Sequence, residues 1–248
     1  MRLDKCLASG GEWSRTEVKS MIRAGRIKVK GMASVKPESA VDPEQDEIFV
    51  DGKQFSFREN YCLMVYKPAG VVTATEDKRD RTVLSLLPQK YQKLGLFPAG
   101  RLDKDAEGFV LMTSDGELAH GLMSPRRHVD KVYYVRVEGE LGQEDIKAFE
   151  DGITIDGGIL CAPAEMEIIS SGAESEARVT LREGRFHQLK RMFLARNRCV
   201  IYLKRESIGG VHLDASLEPS GFRELTNEEE NVLRTACGLS KMQKNTQK

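Results

Sequence analysis

Apolar positions in the first sixty residues fall at helix spacing and then at strand spacing. Leu3 and Leu7 sit four apart, as on one helix face, before Ser9-Gly10-Gly11 breaks the chain. Ser14 and Glu17 have the spacing of a capping box, and Val18, Met21 and Ile22 follow as the buried stripe of a second helix. Gly25 suits the left-handed position after that helix, and RIKVKG then alternates as a half-buried strand ending in a turn. Further on, YCLMVY (61–66) and FVLM (109–112) are short continuous apolar runs, the pattern of buried strands, and KPAG (67–70) stops the first of them. TATEDKRDRT reads as a surface loop, and Val83, Leu84 and Leu87 as a short helix before Pro88. Asp115 is placed to cap a helix over Gly116 to Met123. KVYYVRVEG, ITIDGGIL, AEMEII and ARVTLRE supply strands, and HQLKRMFLA a helix with Leu189, Met192 and Phe193 on one face. Many strands and few helices predict an α+β fold around an antiparallel or mixed sheet. The divisions are a small α/β module over 1–58, a larger domain over 59–238 and a polar tail over 239–248.

Of the 248 residues, 40% are hydrophobic and 31% charged, enough for a buried core under a soluble surface. No apolar run approaches the roughly 18 residues of a membrane span, and the charged N-terminus lacks the apolar core of a secretory signal. The five cysteines are odd in number, widely spaced and without a C-x-x-C pair, which fits a reducing cytoplasm better than a disulfide framework or zinc ribbon. The four histidines are scattered and suggest no metal site.

A net charge of zero conceals blocks. Residues 1–36 carry nine Lys/Arg against three Asp/Glu, and residues 37–60 two against seven. Arg15, Lys19 and Arg23 form a stripe four residues apart, suited to a phosphate backbone. A solvated helix face has the same look. Arg2, Lys5, Arg26 and Lys28 belong to the same basic block. Between Arg178 and Arg205 there are nine Lys/Arg and one acid, Glu183. This run includes Arg185, Lys190 and Arg191, with His187 and Gln188 among them, and Arg126-Arg127-His128 adds a second cluster. Surfaces that only meet solvent mix their signs, so a run this one-sided points to RNA.

The tetrapeptide RLDK occurs at residues 2–5 and again at 101–104. Asp4 falls in the first turn of a predicted helix, where a carboxylate meets the positive end of the helix dipole, an effect of about 0.3–1 kcal/mol. Asp103 lies on a loop between PAG and DAEG, among two further candidates, Asp105 and Glu107. Spacing does not choose among the three. Tyr133 and Tyr134, adjacent on a strand, must point to opposite faces.

Two resemblances bear on these candidates. RLDK-x-L, a break, then SR-x-x-V-x-x-M-I-x-x-G-x-I-x-V over residues 1 to about 50 resembles the small RNA-binding module of ribosomal protein S-four. LMVYKPAGV, GRLDKDAEGFVLMTSDGELAH, KVYYV and EGRFHQLKRMF, in that order, resemble the motifs of the RsuA/RluB/RluE/RluF group of pseudouridine synthases, and the likeness runs to about residue 237. It implies Asp103 as the catalytic aspartate, Tyr133 as the active-site tyrosine and Lys190 as the basic residue beside the aspartate. Arg101 would shape the loop and contact RNA.

The implied reaction breaks the glycosidic bond of a uridine, turns the base and rejoins it through carbon-5. It is neither a redox nor a phosphoryl-transfer reaction, so no cofactor is expected. It does use a carboxylate, and a neighbouring cation favours the ionised form of such a group. Tyr133 would stack on the flipped base, whose unstacking costs a few kcal/mol. The expected substrate is ribosomal RNA, most closely that of the small subunit during assembly, acted on by a cytoplasmic monomer. A large-subunit target and a non-catalytic assembly factor are the competing readings.

Overall fold

A computed structural model describes residues 1–240, so the tail from residue 241 onward lies outside the described residues. The chain divides into two compact units, Met1–Tyr61 with Leu87–Leu96, and Cys62–Leu86 with Phe97 onward. The segment 87–96, with its short helix at Gln89–Gln92 (α3), thus departs from the second domain to which its position in sequence assigned it.

In the first unit, helices α1 (Leu3–Ala8) and α2 (Arg15–Arg23) accompany a three-stranded antiparallel sheet of β1 (Ile27–Val29), β2 (Ile48–Val50) and β3 (Lys53–Phe55). The capping box forms as expected. Glu17 N–H donates to the Ser14 hydroxyl at 3.2 Å and Ser14 N–H to the Glu17 carboxylate at 2.6 Å. A cap of this kind contributes about 1 kcal/mol. Leu3, Leu7, Val18, Met21, Ile22, Ile27 and Val29 pack into one core. Asp4 is structural, but its main partner is not the helix dipole. Arg2 grips it with two hydrogen bonds of 3.0 and 2.9 Å, and these hold its carboxyl below the usual range against the opposing effect of burial.

The second unit is built on a mixed sheet in the order β10 (Glu165–Ser170), β11 (Glu174–Leu181), β7 (Lys131–Glu138), β12 (Val200–Ile208), β6 (Glu107–Thr113), β4 (Cys62–Lys67) and β14 (Phe222–Glu224). Strands β5 (Phe97–Ala99) and β13 (Val211–His212) pair with β6 and β12, and β8 (Thr154–Ile155) with β9 (Ile159–Leu160) forms a separate hairpin. The β12–β6 pairing is parallel while its neighbours are antiparallel. There Gly108, at φ +106°, pairs with Arg205, and an added Cβ would overlap the Arg205 backbone. Phe109 and Leu111 of β6 and Met64 of β4 join a core with Leu118 and Leu122 of α4 (Gly116–Met123) and Leu233 of α7 (Asn227–Ala236). Helices α5 (Gln143–Asp151) and α6 (Gln188–Ala195) stack Phe149 against Phe193 at 4.9 Å. This is the α+β architecture the pattern predicted. Helices α3, α5 and α7 and strands β2, β3, β5, β12, β13 and β14 add to the predicted elements.

Candidate active site

The loop from Gly100 to Ala106 is held at nearly every step. Its buried anchor is Leu102, whose N–H donates to the Thr73 hydroxyl at 3.1 Å while that hydroxyl donates to the Leu102 carbonyl at 2.8 Å. Gly70 N–H donates to the Lys104 carbonyl at 2.7 Å. Two buried cations complete the support. Lys67, 0% exposed at the end of β4, donates to the carbonyls of Pro68, Lys104 and Ala106 at 3.1, 3.2 and 2.6 Å. Arg205 of β12, 1% exposed, donates to the Phe109 carbonyl at 2.8 Å and reaches the Arg101 carbonyl at 3.5 Å. Its second terminal nitrogen, Nη2, has no partner among the described residues. Burial pushes the Lys67 ammonium down to about 8, partly opposed by Asp105, Glu107 and Asp103. Burial likewise brings Lys131 on β7 to about 8, with Arg205 adding to the effect. The floor of the loop is therefore cationic, and its hydrogen bonds run to backbone oxygens rather than to carboxylates.

Above this floor the candidate side chains meet. Lys190 Nζ on α6 lies 3.2 Å from Asp103 Oδ2 and 2.6 Å from Asp105 Oδ1. His187 Nε2 approaches Asp103 Oδ1 at 3.5 Å. Burial lowers the Lys190 ammonium, and the hydrogen bonds to Asp105 and Asp103 outweigh it, so the net shift is upward. That balance is expected, since two unit charges about 4 Å apart near a protein surface interact by about 4 kcal/mol. The Lys190 hydrogen bond also holds the Asp105 carboxyl below its usual range. Asp105 is open to solvent at 74% exposure and Asp103 is mostly covered at 21%, while Glu107 accepts from the Tyr202 hydroxyl at 3.1 Å. Of the three carboxylates the spacing left open, Asp103 is the one sheltered in the loop and flanked by both Lys190 and His187.

Tyr133 stands opposite Arg205 across the β7–β12 pair, so the two side chains share a sheet face. This is the face on which Arg205 reaches the carbonyl two residues before Asp103. Tyr134 is on the other face, edge-on to Tyr202 at 6.0 Å. The cluster of Asp103, Asp105, His187 and Lys190 does not include Tyr133.

Many cations expected to face RNA are engaged within the chain. Gln188 is buried. Its amide donates to Glu183 at 2.8 Å and accepts from Arg185 N–H at 2.9 Å, so it closes a turn instead of presenting itself to a ligand. Arg185 pairs with Glu183 at 3.2 Å, and Arg191 pairs with Asp156 at 2.5 Å. Arg178 pairs with Glu206, Arg182 with Asp130 and Glu165, and Arg196 with the buried Asp145. In the first unit Arg2 is gripped by Asp4 and Arg26 by Asp51 at 2.8 and 2.5 Å. Lys5, Arg15, Lys19, Arg23, Lys28, Arg101, Arg126 and Arg127 are exposed. Lys67 and Arg205 escaped the sequence reading. A lysine closing a six-residue apolar run was the available signal for the first.

Residues 60–195 match the family model described as RNA pseudouridylate synthase. An uncharacterized RNA pseudouridine synthase of Bacillus subtilis, YtzG, is 45% identical over 94% of this chain and 98% of its own length. Ribosomal small subunit pseudouridine synthase A of Escherichia coli K12 is 38% identical over 92% and 98%. A crystal structure of a pseudouridylate synthase superimposes with a TM-score of 0.66 at 32% identity, covering 94% of this chain and 99% of that one. On a matched span that includes Asp103, Tyr133 and Lys190, and on relatives aligned almost end to end, the chain belongs to the RsuA group of the RNA pseudouridylate synthase family.

Proposed function

We propose that the protein converts one uridine of small-subunit ribosomal RNA to pseudouridine, with Asp103 as the reacting carboxylate. The observation that carries this reading is the sheltered Asp103 carboxylate, with Lys190 at 3.2 Å and His187 at 3.5 Å on a loop braced from below. A fixed side chain beside a fixed cation supplies the orientation and charge stabilisation that such a rearrangement uses. In the reaction the bond between ribose C1′ and uracil N1 breaks, the base rotates, and C1′ bonds to C5, which gives up its proton while N1, keeping the electron pair of the broken bond, takes one up. Asp103 acts on the ribose or on the base, Lys190 stabilises it, and Tyr133 packs against the displaced uracil. The small-subunit target is supported by the 38% identity to an enzyme named for that subunit. The exposed cations Lys5, Arg15, Lys19, Arg23, Lys28, Arg101, Arg126 and Arg127 hold the RNA, and the protein works as a cytoplasmic monomer.

Pseudouridine mapping in both ribosomal RNAs, from a strain lacking the gene and carrying it back as wild type or Asp103→Asn, tests the proposal. One small-subunit site should vanish, return with wild type and stay absent with the variant. A lost site in large-subunit RNA would move the target. Unchanged maps would mean a binding factor, and restoration by Asp103→Asn would remove Asp103 from the chemistry.

A further inference from the structure

Phe186 is 74% exposed, the largest exposure among the large hydrophobic side chains of the described residues. Leaving a phenyl ring in water forgoes the stabilisation that burying an aromatic ring provides. A loose loop would explain it, but this loop is fastened. Gln188 ties the backbone at Arg185 in both directions, its own N–H donating to the Arg185 carbonyl at 3.2 Å. Arg191 donates to the Phe186 carbonyl at 3.2 Å while held by Asp156. The next residue, His187, takes the left-handed conformation at φ 48°, unusual for a side-chain-bearing residue. The result is a phenyl ring stacked on the His187 imidazole, centroids 3.8 Å apart and planes inclined by 17°. The far edge of that imidazole is the nitrogen 3.5 Å from Asp103. One aromatic face is thus covered by His187 and the other is presented to solvent, one residue from the imidazole that approaches Asp103.

We infer that Phe186, backed by His187, is a stacking platform for an unpaired nucleobase beside the target uridine. The inference rests on the proposed RNA reaction and adds a residue and a subsite to it. A flat apolar ring with one face open is the chemistry that holds unpaired bases, because every base offers a π-face. Turning a uridine out of a helix leaves neighbouring bases unstacked, and a rigid ring at the rim of the site replaces the lost contact. Tyr133 lies on the sheet and Phe186 at the tip of the turn before α6, so two different bases are served.

The test uses the full chain and ribosomal RNA labelled with tritium at uridine C5, prepared from a strain lacking the gene. Formation of pseudouridine releases the label. Phe186→Leu should raise KM roughly tenfold, the range expected for loss of one base stack, with kcat changed much less. Phe186→Trp should restore most of that loss. Placed in an Asp103→Asn background, the same tryptophan should be quenched by RNA beyond the quenching of Trp13 alone. A Leu variant within twofold of wild type in KM, a Trp variant no better than Leu, or a Leu variant that melts several degrees lower would each overturn the platform. If wild type releases no tritium from either ribosomal RNA, the proposed reaction falls and this inference falls with it.

Discussion

Two basic regions that look alike as strings of letters behave differently in the folded chain. The stripe Arg15–Lys19–Arg23 lies on α2 with all three side chains exposed. The run from Arg178 to Arg205 has a larger local excess, yet most of its cations meet an acid that arrives from elsewhere in sequence. Examples are Asp130, Asp145, Asp156, Glu165 and Glu206. Arg205 is buried in the sheet and holds backbone oxygens. A local charge count measures attraction for polyanions only where the fold brings no counter-charge. On the proposed reading the first region holds RNA, while the acids that meet the second turn most of its cations inward to the fold and the site.

The sharpest way to separate the two is Lys190→Met. It should lower kcat about 10²–10³-fold, the scale of removing one preorganised charge donor, and leave the salt dependence of RNA binding nearly unchanged. A variant defective only in affinity would return Lys190 to the class of phosphate contacts.

The buried lysine beneath the loop gives a smaller, pH-dependent effect. With its folded pKa near 8 and its unfolded value near 10.5, Lys67 binds fewer protons when folded between those limits, so its contribution to stability rises with pH there. Turnover should move the other way and fall severalfold above about pH 8, as the ammonium bracing Pro68, Lys104 and Ala106 becomes an amine. Lys131 titrates in the same window. Lys67→Arg should therefore shift the activity limb upward, and an unmoved limb would assign it to another group.

Replacing Arg15, Lys19 and Arg23 together with Gln should weaken RNA binding about tenfold at low salt and reduce the salt slope by about 2, with kcat unchanged. A slope equal to wild type would make the stripe an ordinary solvated face. The smallest effect belongs to the paired run. Arg178→Gln and Arg182→Gln should alter RNA affinity less than twofold and stability by about 0.2–1 kcal/mol each, measured by chemical denaturation. If they weaken binding as much as the α2 triple, the contrast between the regions disappears.

What could be read beforehand divides along the same line. Helix α4 was legible because Asp115 caps it locally, its carboxylate accepting from Leu118 N–H at 2.9 Å. Helix α2 was legible from Ser14 and Glu17, and strands β4 and β6 from unbroken apolar runs. Strand β12 was not, because Lys204-Arg205-Glu206 interrupts its alternation, and nothing local reveals that Arg205 is buried by β6. Helix α7 did carry a readable signal, the capping box of Thr226 and Glu229. Among the site residues, Lys190 beside Asp103 came from motif order alone. The roles of Lys67 and Arg205 depend on carbonyls up to about a hundred positions away, which no window of sequence contains.

Arg205 also dates the moment at which the loop gains its full support. It anchors a loop near residue 101 from a strand that follows about a hundred residues later. Chains emerge from the ribosome amino end first. A nascent chain that already displays Asp103 therefore lacks both the cation beside it and the strand that shapes the loop beneath it. Reactivity would switch on only after residue 205 has left the ribosome, which suits an enzyme whose proposed substrate is the material of the ribosome that makes it.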